Sequence, residues 1–313
     1  MRTTALAGVS LVLLAVWPAA SQQGAAQGPQ AQGAQGASGR VVAGRRQPDP
    51  INYGEHDGWV PLFDGKTLDG WSGDQNWRVE DGAIVIEPSC EHPTGTVYLV
   101  WQGGEVTNFE LKFEMKGTGA INSGMQYRSW IQPPAAPGRG GGRAAGAAGV
   151  TAGTGAPGAA GGGRGQQAAT PCPSGAARGN PPDRAVEAQW NMGGPQYDFD
   201  AGNTVPGQFY EQATGRARIA WRGQVVRTEA GKNPRLVALL GDKDTIDSWF
   251  RPNDWNEAHI IALGDSMTHI LNGHVMSILF DEDGTKFNGS GHIGIEVEST
   301  GKVFIRNIWL KRL

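Results

Sequence analysis

Short strand-like segments follow one another along this chain, and no segment of its core keeps apolar residues at helical spacing over three turns. The segments are rich in β-branched and aromatic residues and are bounded by Gly, Asp, Asn or Pro. They lie at 83–86, 97–101, 109–116, 125–130, 218–221, 236–240, 259–263, 267–271, 274–280, 293–297 and 303–310. Many short strands with turn residues between them predict an all-β protein in which two antiparallel sheets form a sandwich.

Two local patterns support this prediction. The segment 109–115 alternates strictly between apolar and charged residues, which predicts a strand with one face in the core and the other in solvent. The pair Asn272-Gly273 separates two strand candidates and favours the positive φ angles of a tight hairpin turn.

The N-terminal part of the chain has the composition of an export signal and a leader. Residues 1–21 start with Met1-Arg2, continue with an apolar run too short to span a bilayer, and end with small residues at the positions that a signal peptidase requires. Residues 22–54 are mainly Gly, Ala and Gln, and we expect them to be a disordered leader because they bury too little apolar surface. We therefore predict an exported, periplasmic or extracellular protein without a membrane span.

A second low-complexity segment, 132–184, consists almost entirely of Gly, Ala, Pro and Arg. It separates strand candidates of one sheet, so we interpret it as a long disordered insertion within a single domain that spans 55–313. Its arginines are not interleaved with aromatic residues, and the whole chain has a net charge of −3. The composition therefore does not predict a nucleic-acid partner.

Two segments place polar side chains where a buried sheet would place apolar ones. With the period of two of a strand, one face of 122–128 carries Asn122, Gly124, Gln126 and Arg128. On the same reasoning 185–191 forms a second strand, with Glu187, Gln189 and Asn191 on one face. Such stripes suit a hydroxyl-rich ligand such as a sugar, and the alternative is the solvent face of an ordinary antiparallel sheet.

Several motifs occur in a fixed order from about Trp59 to the C-terminus. They are Gly58-Trp59-Val60-Pro61-Leu62-Phe63-Asp64-Gly65-Lys66-Thr67-Leu68-Asp69-Gly70-Trp71, Trp77-Arg78-Val79-Glu80-Asp81-Gly82, Asn122-Ser123-Gly124, Trp255-Asn256, Leu271-Asn272-Gly273, Gly291-His292-Ile293-Gly294 and Arg306-Asn307-Ile308-Trp309-Leu310-Lys311. This ordered set resembles the 3-keto-disaccharide hydrolase domain family. The resemblance implies a concanavalin-like jelly roll and the processing of 3-keto-glycosides outside the cytoplasm.

The chain departs from the family's pattern at two places. Glu187-Ala188-Gln189 is similar to the family's Glu-x-Gln strand, but the Asp that commonly follows is absent, with Met192 nearby and acids only at Asp198 and Asp200. Near the C-terminus the family often shows Gln and His, where this chain has Glu296 and Glu298. These departures leave the acid or base partner open.

A keto-sugar substrate needs a base for the C2 hydrogen, a donor for the enolate oxygen and an acid for the leaving oxygen. Glu187 is the predicted base, Arg128 and Asn122 the predicted contacts to the enolate oxygen and hydroxyls, and Gln189 a positioning amide. The predicted substrate-binding residues are Asn122, Gln126, Gln189, Asn191, Tyr210 and Trp255, with Tyr210 in a polar and aromatic segment, 196–212, interpreted as a loop at the mouth of the site.

Three alternatives remain open at this point. Glu187 and Arg128 can form no more than a cross-strand ion pair. The domain can also be a sugar-binding module without turnover, because the same sandwich carries lectins, or an interaction domain that uses its insertion.

Metal and cofactor signals are weak. The histidines are scattered without ligand spacing, so neither a metal nor a cofactor is predicted. His269 shares a face with Met267 and Leu271 and is expected to be a packed, hydrogen-bonded histidine. Cys90 and Cys172 fit either one disulfide or two free thiols.

Overall fold

The computed structural model of the protein describes residues 48–49, 51–89, 94–131 and 188–313. Outside these residues lie the predicted signal peptide and nearly all of the predicted leader, the low-complexity segment 132–184, both cysteines and the predicted base Glu187. The described residues from Ile51 onward form one β-sandwich of two sheets, and every strand pair is antiparallel except one. The predicted all-β sandwich is therefore confirmed.

One layer is a ten-stranded sheet in which β11 and β15 form the parallel pair. In spatial order its strands are β12 (Arg235–Leu239), β11 (Gln224–Glu229), β15 (His274–Glu282), β14 (Ser266–Leu271), β13 (Asn256–Leu263), β6 (Phe109–Gly119), β17 (Gly301–Arg312), β4 (Ala83–Ile86) and β3 (Arg78–Glu80), with β1 (Val60–Pro61) also paired to β17.

The other layer is a seven-stranded sheet that carries the polar strand of the sequence analysis. In spatial order its strands are β10 (Ala217–Ala220), β9 (Phe209–Gln212), β8 (Met192–Asp200), β7 (Asn122–Ile131), β16 (His292–Glu298), β5 (Val97–Trp101) and β2 (Trp71–Gly73). A helix of six residues, α1 (Lys243–Ser248), begins after Asp242, whose side chain accepts a hydrogen bond from the Thr245 backbone N–H at 2.8 Å. No helix in the described ranges is long and apolar enough to cross a membrane.

The core lies between the two sheets, where alternate residues of each strand meet. On β6 the apolar side of the predicted alternation is buried, as expected, while the charged side is not. His269 of β14 is fully buried and hydrogen-bonded to the Tyr127 hydroxyl of β7 at 2.7 Å, which confirms that it is a packed histidine. Burial lowers its pKa to about 3, so this imidazole is neutral.

The Asn272-Gly273 turn also forms as predicted. Asn272 has φ 49° and Gly273 has φ 82°, and the turn joins β14 to β15.

Two elements differ from the prediction. The segment predicted as a second polar strand at 185–191 has a 3₁₀ turn at Ala188–Trp190, and the strand begins only at Met192. The segment 196–212, predicted as a loop, contains most of β8 and all of β9. The second polar strand of the sheet is therefore β8.

Candidate functional site

The central strands of the seven-stranded sheet carry polar side chains on the face that points away from the core. Their apolar residues, such as Met125, Tyr197 and Ile295, alternate into the core, so the residues between them face outward. We call this surface the polar face, and it consists of Asn122, Gln126, Gln196, Asp198, Glu296 and Glu298. Gly124 of β7 lies opposite Asp198 on one side and opposite Glu296 on the other.

A chain of hydrogen bonds fixes the carboxamides of this face. The Ser129 hydroxyl donates to Gln126 Oε1 at 2.7 Å, and Gln126 Nε2 donates to Gln196 Oε1 at 3.1 Å. Gln196 Nε2 in turn donates to Glu296 Oε2 at 3.0 Å. Because each amide is oriented by the group before it, the Glu296 carboxyl is held in one position.

Asp198 is an acid in surroundings that disfavour its ionisation. It is only 7% exposed, accepts a hydrogen bond from Gln208 Nε2 at 2.6 Å, and accepts a second from the Phe199 backbone N–H at 3.1 Å. Burial, together with the charges of Asp200 and Glu298, raises the pKa of Asp198 to about 7. This carboxyl can therefore change its charge near neutral pH.

Glu296 is buried more deeply, with 3% of its surface exposed. Burial, with the nearby charges of Glu298 and Asp198, raises the pKa of Glu296 well above its usual range, which favours the protonated form of this carboxyl. Glu298 accepts hydrogen bonds from Asn122 Nδ2 at 3.0 Å and from the Thr96 hydroxyl at 3.4 Å.

Two phenols border the carboxyl groups. Tyr98 of β5 is buried, and burial with the charges of Glu296 and Glu298 raises its pKa well above the usual value. Tyr210 of β9 is half-buried, and burial followed by the charge of Asp198 raises its pKa. Both phenols therefore keep their protons. Tyr98 is buried and hydrogen-bonded to the Gln212 side chain, whereas the half-buried Tyr210 can donate a hydrogen bond to a ligand.

Gly124 allows this arrangement because it has no side chain. A Cβ at this position would lie 1.9 Å from Gln196 Nε2 and 2.5 Å from the Gln196 side-chain carbonyl carbon. The Gln196 carboxamide therefore crosses β7 above Gly124 to reach Glu296 on the far side.

The structure brings three predicted site residues to this region. Asn122 and Gln126 share the polar face, and Tyr210 lies opposite Gln196 on the neighbouring strand.

Arg128 does not join them, which corrects the prediction that it faces the ligand. Its backbone has φ 48°, and β7 has a bulge between Gln126 and Trp130, so the alternation is interrupted. The guanidinium donates to the Thr107 carbonyl at 2.6 Å and to the Gly264 carbonyl at 2.8 Å, which ties β7 to turns of the other sheet.

The remaining predicted residues also lie elsewhere. Trp255 precedes β13 in the ten-stranded sheet and stacks on the Arg306 guanidinium at 3.8 Å, so it is not part of the polar face. Gln189 lies exposed in the 3₁₀ turn, and Asn191 is half-buried just before β8. Glu187 lies outside the described residues, so its predicted role is untested.

The acids of the polar face were visible in the sequence but were not assigned a role there. Gln196-Tyr197-Asp198-Phe199 and Ile295-Glu296-Val297-Glu298 both alternate between polar and apolar residues, which is the signal of a strand with one polar face. Interpreting 196–212 as a loop concealed the first of these patterns.

The polar face combines an acid whose raised pKa favours its protonated form, an acid that titrates near neutral pH, and fixed donors and acceptors. Such a set can move protons to and from a bound ligand. Among the described residues, no group of three or more His, Cys, Asp or Glu side chains is arranged to hold a metal ion.

The fold and site define a β-sandwich domain with an acid-rich polar face. A family model described as 3-keto-alpha-glucoside-1,2-lyase-like domain matches residues 58–162 and 164–311. The chain therefore belongs to this family of carbohydrate-active domains, in agreement with the resemblance carried by its motifs.

Individual relatives are more distant. A 3-keto-disaccharide hydrolase of Bacteroides thetaiotaomicron is 35% identical over 83 residues, which cover 23% of this chain and 27% of that protein. A crystallised glycosyl hydrolase candidate from Parabacteroides distasonis has 16% identity and a TM-score of 0.42, with 82% of this chain and 94% of that chain covered. A Bacillus subtilis protein with a galectin-like fold has 8% identity and a TM-score of 0.44, with coverage of 81% and 94%.

Proposed function

We propose that this protein cleaves 3-keto-glycosides by acid–base chemistry on the polar face. The observation that carries the proposal is the placement of the buried Asp198 and Glu296 and the partly exposed Glu298 together on the polar face, where the pKa of Asp198 is raised to about 7. An acid that titrates near the working pH is suited to proton abstraction and return. Family membership suggests the substrate class.

The reaction proceeds by elimination. The ketone at C3 acidifies the hydrogen on C2, and a base removes that proton to form an enolate. The electron pair then forms a C1=C2 double bond while the bond from C1 to the leaving oxygen breaks, and the C3 carbonyl returns. The leaving oxygen takes a proton from an acid, and addition of water across C1 and C2 completes hydrolysis.

Each step has a candidate residue. Asp198 in its ionised form removes the C2 proton, and Glu296, whose raised pKa favours its protonated form, donates to the leaving oxygen. The Tyr210 hydroxyl donates to the enolate oxygen, and Gln196 keeps Glu296 in position. Asn122 contacts substrate hydroxyls.

Glu187 is a second candidate for the base. Its support is the similarity of Glu187-Ala188-Gln189 to the family's Glu-x-Gln strand. The test below therefore includes Glu187→Gln beside Asp198→Asn.

A second candidate function is sugar binding without turnover. It is favoured by the departures from the family pattern, since Met192 lies near the position of the expected Asp, and Glu296 and Glu298 replace the usual Gln and His. In that case the same face binds a glycan and releases no product.

We also propose that the protein is exported. The support is the N-terminal sequence, in which a short apolar run ends at Ala19-Ala20-Ser21. N-terminal sequencing of protein recovered from the periplasm or medium of the expressing cells should begin at Gln22, and recovery of uncleaved protein from the cytoplasm alone would contradict export.

The test of the reaction separates its two proton transfers. Purified protein is incubated in heavy water with methyl 3-keto-glucoside, and both exchange of the C2 hydrogen and release of methanol are followed. Asp198→Asn should lose both C2 hydrogen exchange and methanol release, whereas Glu296→Gln should keep the exchange but lose the release. A substrate with a nitrophenyl leaving group should restore part of the release in Glu296→Gln, because this leaving group needs no acid.

Glu87→Gln, an exposed carboxylate on the other sheet, is the control and should behave as the wild type. Wild-type exchange in Asp198→Asn would overturn its role as base, and loss of exchange in Glu187→Gln alone would assign the base to Glu187. Binding of the keto-glycoside without exchange or release by the wild type would favour the binding module.

A further inference from the structure

A cavity of about 220 Å³ lies on the outer face of the ten-stranded sheet, remote from the polar face of the other sheet. We call it the outer pocket, and its walls include Tyr53, His56, Glu114, Glu257, Asn307 and Trp309. None of these residues takes part in the proposed reaction.

Two glutamates face each other in this pocket. Glu257 of β13 and Glu114 of β6 are directly opposite across the strand pair, an arrangement that is unfavourable for like charges. Glu114 is compensated, since it accepts hydrogen bonds from Arg306 Nε and Asn307 Nδ2, both at 2.7 Å.

Glu257 is not compensated in this way. Its carboxylate forms no hydrogen bond or ion pair with any described residue, and partial burial raises its pKa, with a smaller opposing effect of Arg251 and a further increase from Glu114. A half-buried carboxylate without donors gains most from a ligand that supplies them.

The opposite wall is aromatic, and a backbone irregularity positions it. Strand β17 has a bulge between Arg306 and Trp309, where Asn307 has φ 51°. Bulges of this kind redirect side chains and are frequent beside binding sites. The His56 ring stacks on the Trp309 indole with a centroid distance of 3.8 Å, and Tyr53 lies near the Gly273 backbone at the pocket rim.

We propose that the outer pocket is a second ligand site, which binds one neutral monosaccharide ring. Two neighbouring hydroxyls of the ring donate to the Glu257 carboxylate, and the apolar side of the ring packs against the aromatic wall of His56 and Trp309. A neutral ligand fits better than an amine, because Arg306 is paired with Glu114 and the charge of Arg251 offsets part of the charge of Glu257. The site anchors a glycan without contacting the polar face.

Fluorine-labelled tryptophan provides the test, with the Trp309 resonance assigned from a Trp309→Phe variant. Methyl glucoside, methyl galactoside and methyl mannoside are titrated into the full chain, and at least one should shift the Trp309 resonance. Glu257→Ala should weaken that binding about tenfold or more, because it removes a charged hydrogen-bond acceptor. Glu257→Gln, which keeps the size of the side chain, should weaken binding less.

Glu87→Ala is the matched control on the same sheet and should bind as the wild type. Cleavage of methyl 3-keto-glucoside should be unchanged in Glu257→Ala, which separates this site from the proposed reaction. Ethylammonium is titrated in parallel to test whether the pocket binds a cation instead. The proposal is overturned if no methyl glycoside shifts the Trp309 resonance, or if ethylammonium alone shifts it. It is also overturned if the shift is equal in both Glu257 variants and the wild type.

Discussion

Burial of the Asp198 carboxyl predicts a stability change with a definite sign. Its folded-state pKa of about 7 lies above the usual value, so the folded protein holds this proton more tightly than the unfolded chain does. The free energy of unfolding therefore falls as pH rises from about 4 to about 7. Asp198→Asn removes this ionisation but keeps only one acceptor oxygen, whereas Gln208 Nε2 and the Phe199 N–H bond different oxygens of the Asp198 carboxylate. The lost acceptor costs the same at every pH, so the stability of the variant relative to the wild type should be higher at about pH 8 than at about pH 5, by about 2–3 kcal/mol.

Thermal unfolding of both proteins at the two pH values measures this difference. Glu87→Gln, which alters an exposed carboxylate far from Asp198, is the control and should change the unfolding temperature little at either pH. An equal change in unfolding temperature for Asp198→Asn at both pH values would contradict the raised pKa.

Gly124 offers a test of the amide chain. Gly124→Ala places a Cβ where the Gln196 carboxamide now lies, so Gln196 must leave Glu296. We expect kcat/KM on methyl 3-keto-glucoside to fall by about tenfold to a hundredfold, because a positioning contact of about 1.5–3 kcal/mol is lost. Gly284→Ala, where a Cβ meets no atom within 4 Å, should leave kcat/KM unchanged. Equal kinetics in both variants would remove Gln196 from the mechanism.

At the residue scale, the two-residue alternation of side chains along a β-strand predicted part of the site. It placed Asn122 and Gln126 on one face because the backbone up to Gln126 is regular. It failed at Arg128 because a residue with positive φ breaks the alternation, and local sequence does not reveal such a bulge. Trp255 was misplaced because sequence alone does not say which sheet receives a strand.

At the scale of elements, most strands were predicted within a few residues, and β8 was the main failure. It contains Gly193-Gly194-Pro195, residues that normally interrupt strands. Pairing with β7 on one side and β9 on the other overrides this local preference. Asp198, the acid of the polar face that lies on β8, was missed together with this strand.

Strand β12 is an edge that predicts self-association. All five of its residues are exposed, with Leu239 at 67%, and only β11 pairs with it among the described strands. An exposed apolar edge offers free backbone groups to another chain. Leu239→Lys should therefore lower light scattering of concentrated protein without changing its activity.

Leu263→Lys is the control for this edge, because Leu263 is also exposed but lies on β13, which is paired on both sides. If both substitutions lowered scattering equally, surface apolarity in general would be the cause, rather than edge pairing.

At the scale of the whole molecule, the sandwich separates its two outer faces. The seven-stranded sheet carries the acids, and the ten-stranded sheet carries the outer pocket, with a common apolar core between them. The all-β class followed from the sequence because alternation and turn residues recur along the chain. The outer pocket could not be predicted from the sequence, because its residues come from the segment around Tyr53 and from three strands that meet only in the folded sheet.

The insertion can be removed without disturbing this architecture, according to the strand register. Ile131 at the end of β7 lies directly opposite Met192 at the start of β8, so the chain leaves and re-enters the sheet at paired positions. Deleting 133–187 leaves Gln132 joined to Ala188–Trp190 and Asn191, a loop of ordinary hairpin length. Because a shorter loop costs less entropy to close, the variant should be more stable, by up to about 2 kcal/mol.

Thermal unfolding and kinetics on methyl 3-keto-glucoside decide this last prediction. If Asp198 is the base, the deletion variant should keep C2 hydrogen exchange, since the polar face is carried by strands that the deletion leaves intact. Loss of exchange in a folded deletion variant, matched by the same loss in Glu187→Gln of the full chain, would transfer the base to Glu187. Failure of the deletion variant to fold would contradict the argument from the Ile131–Met192 register.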